Sequence, residues 1–114
     1  MNSENFQRCI QLCVACALEC RKCASACLNE KDFEHMVQCI NLNRDCETLC
    51  QAAVSAMRNQ NPLAREVCDV CADMCDACAA ECEKHLYEHC RTCAKICHDC
   101  AAECRNSVTP LTIV

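Results

Sequence analysis

Along this chain the apolar positions recur every three or four residues, and the residue that fills most of them is cysteine. Cys9, Cys13, Cys16, Cys20, Cys23 and Cys27 stand at intervals of 4, 3, 4, 3 and 4. Cys68, Cys71, Cys75, Cys78 and Cys82 run 3, 4, 3, 4, as do Cys90, Cys93, Cys97, Cys100 and Cys104. That period draws one stripe along one face of an α-helix, the inner seam of a helical bundle. It predicts helices over about 5–29, 62–84 and 86–106. The segment over about 33–58 keeps the period but fills it differently, with Met36, Cys39, Asn43, Cys46, Cys50, Ala53 and Met57 on the stripe.

Punctuation between the segments supports four helices. The charged turn Asn29-Glu30-Lys31-Asp32 separates the first two, with Asp32 placed to cap the second. Asn61-Pro62 restarts the chain as an N-cap followed by proline at the first helical position. A turn near Lys84 and His85 leads into the fourth helix, which Ser107 to Pro110 should end. The third and fourth segments read as internal repeats, sharing CxxCxxxCxxCxxxC and the string CAAEC. Short connections favour an all-α fold, an antiparallel up-down-up-down four-helix bundle, with residues 1–114 as one domain.

Composition sharpens this picture. Cysteine takes 19 of 114 positions, and Leu, Ile, Val and Phe together barely outnumber it, so aliphatic packing alone cannot organise the interior. Gly is absent, Pro occurs twice and aromatic residues make up 3%, which removes Gly-loop nucleotide sites and turn-rich β folds. A formal charge of -5 with little aromatic surface argues against nucleic acid and anionic membranes as partners. No apolar run reaches the roughly 20 residues that cross a bilayer. Residues 1–6 carry no basic leader, which points to the cytoplasm, where dense cysteine signals metal or thiol chemistry rather than disulfides.

Two plainer explanations of the stripe fail on physical grounds. Cysteine as a small hydrophobe would leave core volume missing at nearly every layer, and large-to-small core changes cost about 2–5 kcal/mol each. Disulfides along one helix fail on distance, because Cβ atoms three or four residues apart lie about 5–6 Å from one another, beyond the roughly 3.5–4.5 Å a disulfide needs. Disulfides across helices remain geometrically open, although an odd total cannot pair completely within one chain. A soft ion bridging sulfur to sulfur reaches further. On this reading each CxxxC is a clamp: Cys9/Cys13, Cys16/Cys20, Cys23/Cys27, Cys46/Cys50, Cys71/Cys75, Cys78/Cys82, Cys93/Cys97 and Cys100/Cys104. Cys39 lacks a near cysteine on its own helix, so His35 or Met36 is its candidate co-ligand.

Charge selects the ion. Thiolates favour Cu(I), zinc or iron-sulfur clusters. A zinc ion held by four thiolates carries +2 against -4, and several such sites would leave a large negative charge in a low-dielectric core. One monovalent ion per thiolate leaves none, which favours multiple Cu(I) ions per chain. A zinc or cadmium thiolate buffer and a multi-thiol redox protein are the alternatives. No cysteine precedes proline as in bacterial ferredoxin runs, and no strand surrounds a CxxC as a thioredoxin-type site expects.

These stripes, on the first, third and fourth helices with the sparser second, closely resemble the cytosolic branch of the bacterial copper storage proteins, over nearly the whole chain. The resemblance implies a Cys-rich four-helix bundle, assembled as a homotetramer, that stores many Cu(I) ions. Catalysis is not expected, and any copper donor or acceptor proteins are left unidentified by the sequence.

The topology gathers His35, Met36, His85 and His89 at one end, where imidazole and thioether suit an entry relay for Cu(I). Phe6, Met57, Leu63, Ala64 and Val108 fall at the other as an apolar plug. His98 is expected at the surface. Ile10, Val14, Leu18, Ile40, Val54, Val67, Val70 and Ile96 should flank the cysteine seam, widening the core or meeting other subunits. Glu19, Glu47, Glu81 and Glu103 read as solvated faces.

Overall fold

A computed structural model describes the backbone of residues 3–108 and the side chains of residues 6–107. Four α-helices follow in order: α1 Ser3–Leu28, α2 Val37–Arg58, α3 Ala64–Cys82 and α4 Glu88–Val108, with a 3-10 turn at Phe33–Met36 leading into α2. Each helix packs on its two sequence or ring neighbours, α1 with α2 and α4, and α3 with α2 and α4, while the diagonal pairs stay apart among the described residues. This is the up-down-up-down ring that short connections favour.

Every residue of the predicted inner stripes is buried, including Met36, Asn43, Ala53 and Met57 on α2. A second buried stripe lies beside the sulfur. Ala17, Ala24, Ala72, Ala79, Ala94 and Ala101 each follow a cysteine of the seam and each is buried. Their minimal side chains let neighbouring helices approach closely, so the thiols of facing helices come within contact distance of one another. Exposed Val14, Leu18 and Val70 and part-buried Ile10, Val54, Val67 and Ile96 flank the seam, whereas Ile40 joins the core.

The helix ends depart from the sequence expectation in instructive ways. Asp32 does not cap with its side chain; that carboxylate accepts a hydrogen bond from the Tyr87 hydroxyl, and α2 opens through the 3-10 turn instead. Regular α3 begins at Ala64 rather than Pro62, although Asn61 Oδ1 does accept the Leu63 backbone N–H at 2.8 Å, so the asparagine orders the turn as expected. At the end of α2, Gln60 adopts φ 53, with Gln60 N bonded to Met57 O and Asn61 N to Ala56 O. This is a Schellman closure, and in a chain without glycine a glutamine occupies its left-handed position.

Surface ion pairs tie adjacent helices: Arg8 to Glu103 (3.2 Å), Arg21 to Glu47 (2.9 Å), and Arg105 to Asp73 (2.9 Å) and Asp76 (2.7 Å). Glu47 and Glu103 therefore bridge helices instead of standing as free solvated faces. Exposed pairs of this kind contribute at most about 1 kcal/mol each.

Candidate metal centre

The antiparallel register turns the stripes into ladders. Between α1 and α4 the rungs are Cys9–Cys104 (3.4 Å), Cys13–Cys100 (3.6 Å), Cys16–Cys97 (3.7 Å), Cys20–Cys93 (3.8 Å) and Cys23–Cys90 (3.9 Å), measured between Sγ atoms. Between α2 and α3 they are Cys39–Cys82 (3.7 Å), Cys46–Cys75 (3.6 Å) and Cys50–Cys71 (3.7 Å). Cross-links between the two ladders, such as Cys16–Cys75 at 4.0 Å, join the sulfur into one lining. All cysteines are free and buried. These separations exceed a disulfide bond of about 2.05 Å, yet they let one soft ion reach several sulfurs through metal–sulfur bonds of roughly 2.3 Å.

Cys16/Cys20, Cys23/Cys27, Cys46/Cys50, Cys93/Cys97 and Cys100/Cys104 are thus each half of a larger arrangement. Within one helix only Cys23–Cys27 and Cys93–Cys97 show a sulfur contact of this length, 4.0 Å each, among the described residues. Five groups of four thiols, their sulfurs within 4.8 Å of one another, each combine one CxxxC pair with thiols from other helices. Cys13, Cys71, Cys100 and Cys104 form one, and Cys16, Cys46, Cys50 and Cys75 another. Cys20, Cys78, Cys93 and Cys97 form a third. Cys16 and Cys46 also group with Cys20 and Cys97, so members are shared from layer to layer. Cys39 is not isolated: it meets Cys82 and groups with Cys23, Cys27 and Cys90. Cys68 is buried in α3 near the far end of the same lining.

One amide interrupts the sulfur. Asn43, fully buried on α2, stands opposite Cys78 where the register calls for the next rung. Its Oδ1 accepts from the thiols of Cys78 (3.2 Å), Cys93 (3.5 Å) and Cys82 (3.8 Å), while its Nδ2 donates to Cys39 Sγ (3.7 Å). No buried side-chain nitrogen or oxygen among the described residues lacks a partner, so this amide is fully engaged. Its place on the stripe was legible in the period; its role as a shared acceptor depends on three other helical positions and was not.

At the end formed by the 28–36 and 83–87 connections, the four predicted residues separate in role. His89 reaches the sulfur: Nδ1 lies 3.6 Å from Cys23 and Cys90 and 3.9 Å from Cys27, and Nε2 bonds Glu30 Oε2 at 3.0 Å. Its ring stacks on Tyr87 with centroids 5.3 Å apart and planes 8° from parallel. Met36 is wholly buried beneath this end. His85 instead bonds Glu81 Oε2 at 3.0 Å, and His35 is exposed. Glu81 is 9% exposed and also pairs with Lys84 at 3.2 Å, so the solvated reading fails: the turn after α3 folds Lys84 and His85 over this carboxylate. His98 is at the surface on Glu83.

Local electrostatics follow from the burial. Removal from water pushes the Cys27 and Cys90 thiols up from 9.0, and charge on Cys23 adds to the effect. For His89, burial works to lower the pKa from 6.5, but the bonds to Cys23 and Glu30 outweigh it and the net shift is upward. The Asp32 bond pushes Tyr87 up to about 12.

At the opposite end Phe6, Met57 and Ala64 are buried as expected, but Leu63 is 59% exposed because it sits in the turn ahead of α3. The Val108 side chain, Pro110 and the segment 111–114 lie outside the described residues. Glu30, Asp32 and Tyr87 sit in turns, where no period in the sequence marks a face that would point to them as site residues.

Fold and lining together define a class: the four-helix bundle with a thiol-lined core. A model of the copper storage protein family (Csp) matches residues 2–109, and the chain belongs to that family. Among structures, it is similar to the Cu(I)-bound copper storage protein BsCsp3, with 42% identity and a TM-score of 0.87 over 90% of this chain and 97% of that one. It is also similar to a cytosolic copper storage protein from Streptomyces lividans bearing five coppers, with 35% identity and a TM-score of 0.91 over 96% of both chains. A curated relative, an uncharacterized cysteine-rich protein YhjQ of Bacillus subtilis (strain 168), is 43% identical over 83 residues, 73% of this chain and 77% of its own length.

Proposed function

We propose that this chain is a cytoplasmic Cu(I) store, a container rather than a catalyst, in which the lining cysteines hold many cuprous ions as shared thiolate clusters. The observation that carries this reading is the continuous sulfur lining, in which thiols belong to more than one group and can bridge successive ions. The cytosolic Streptomyces lividans relative carries five coppers in one structure and was loaded with 10 copper equivalents in another. Monovalent ions match thiolates one for one, so loading leaves the core uncharged while it fills the volume that cysteine leaves open.

Geometry also gives zinc its strongest case. The Cys23, Cys27, Cys39 and Cys90 group and the first three four-thiol groups share no member, so four tetrahedral sites fit side by side. Each would bury a net -2, and the interior offers no cation to offset it among the described residues. Anaerobic exposure to equimolar Cu(I) and Zn(II), followed by mass analysis of the intact chain, decides between them: copper should occupy the core, and retained zinc would support a zinc buffer.

Entry takes place at the His89 end. His89 passes ions to Cys23, Cys27 and Cys90, with Met36 beneath as a thioether donor, and His35 and His85 collect ions outside. The assembly is a homotetramer by family likeness, and the exposed apolar positions Val14, Leu18 and Val70 are its candidate contacts.

A further inference from the structure

This end of the bundle holds a group of residues that controls the imidazole reaching the sulfur. A carboxylate only accepts hydrogen bonds, so the 3.0 Å contact between Glu30 Oε2 and His89 Nε2 requires the proton of a neutral ring to sit on Nε2. Nδ1 then carries the lone pair, and Nδ1 is the atom facing Cys23, Cys27 and Cys90. Tyr87 stacks flat on the same ring, and Asp32 holds the Tyr87 hydroxyl. Glu30 and Asp32 come from the α1–α2 connection, and Tyr87 from the α3–α4 connection.

We infer that Glu30 is a positioning residue for copper capture: with the Asp32–Tyr87 pair it fixes the His89 tautomer and ring plane, so that Nδ1 is a ready fourth donor beside the Cys23, Cys27 and Cys90 sulfurs. The inference rests on the proposed entry at His89. Without Glu30, a neutral imidazole can place its proton on Nδ1 and donate it to a sulfur, which removes the lone pair from the ion's path. Carboxylate partners of this kind hold metal-binding histidines in one tautomer, and their loss lowers metal affinity or activity by about 10–100-fold. The Asp32–Tyr87 bond adds a second restraint, because a stacked ring resists rotation that would exchange the two nitrogens.

The test uses the full-length protein with 15N-labelled histidine in wild type, Glu30→Ala, Glu30→Gln, Tyr87→Phe and His89→Ala forms. Two quantities are read: the His89 tautomer in metal-free protein above the imidazole titration range, from the 15N shifts, and the rate of Cu(I) uptake from a chelator. Wild type should show protonated Nε2. Glu30→Ala should move a substantial population to protonated Nδ1 and slow uptake about 10-fold or more. Glu30→Gln, whose amide oxygen still accepts, should recover both, which a merely structural role for the charge would not produce. Tyr87→Phe should keep the tautomer and slow uptake less. If Glu30→Ala leaves the tautomer unchanged, or shifts it without slowing uptake, the inference is overturned. The His89→Ala control separates the two failures. Slowed uptake there with normal Glu30→Ala uptake removes only the role of Glu30, whereas normal uptake in His89→Ala removes the entry reading itself.

Discussion

Asn43 Oδ1 stands 3.2 Å from Cys78 Sγ, so that an amide takes the place of sulfur between the rungs Cys39–Cys82 and Cys46–Cys75. The metal-free interior uses this amide as an acceptor for three thiols, and loading deprotonates those thiols. Asn43→Ala should therefore destabilise the metal-free protein by about 1–3 kcal/mol, from a lost acceptor and a small cavity, and leave copper capacity unchanged. Asn43→Cys should raise capacity by about one ion. Thermal unfolding of the metal-free forms and metal analysis of the loaded ones check the two halves.

Proton linkage gives a second expectation. Cys27 and Cys90 have their thiol pKa raised from 9.0 by burial, so the folded chain holds protons that the unfolded chain gives up. This contribution to stability is complete below pH 9.0 and is lost as pH rises beyond it. Copper binding runs the other way: each thiol must release its proton, so apparent Cu(I) affinity should rise with pH, by about tenfold per pH unit for each proton displaced. Unfolding midpoints of metal-free protein on either side of pH 9, and chelator competition below it, measure the two effects.

Entry is expected to be uneven among the end residues. Replacing His35, His85 and His89 together should slow Cu(I) loading more than it lowers capacity. Among single changes, His89→Ala should account for most of the slowing and His35→Ala for little, because His89 Nδ1 approaches sulfur whereas His35 is exposed. Stopped-flow loading with equal final stoichiometry is the check.

The 3/4 spacing of cysteine carried the helices and their buried faces, because a period is a property of one segment at a time. The helix ends carried less information. Asp32 looks like a cap until Tyr87, far along the chain, takes its carboxylate. Glu81 looks solvated until the local turn folds Lys84 and His85 over it. CxxxC spacing suggested clamps within a helix, but the Cys–Ala steps that let helices close together place the shortest sulfur contacts between helices, as at Cys9–Cys104.

Gln60 offers a test of the fold apart from metal. Its φ of 53 is unfavourable for a residue with a Cβ, whereas glycine adopts it freely. Gln60→Gly should stabilise the metal-free chain by up to about 1 kcal/mol, offset in part by the greater freedom of glycine when unfolded, with no change in copper uptake. A raised unfolding midpoint confirms it.

The most direct measurement is the number of Cu(I) ions the reduced chain binds, titrated without air against a competing cuprous chelator. A sulfur lining loaded by monovalent ions predicts saturation on the order of one ion per cysteine, with every thiol titratable beforehand. Saturation at two or three ions, or cysteines already joined in disulfides, would contradict it.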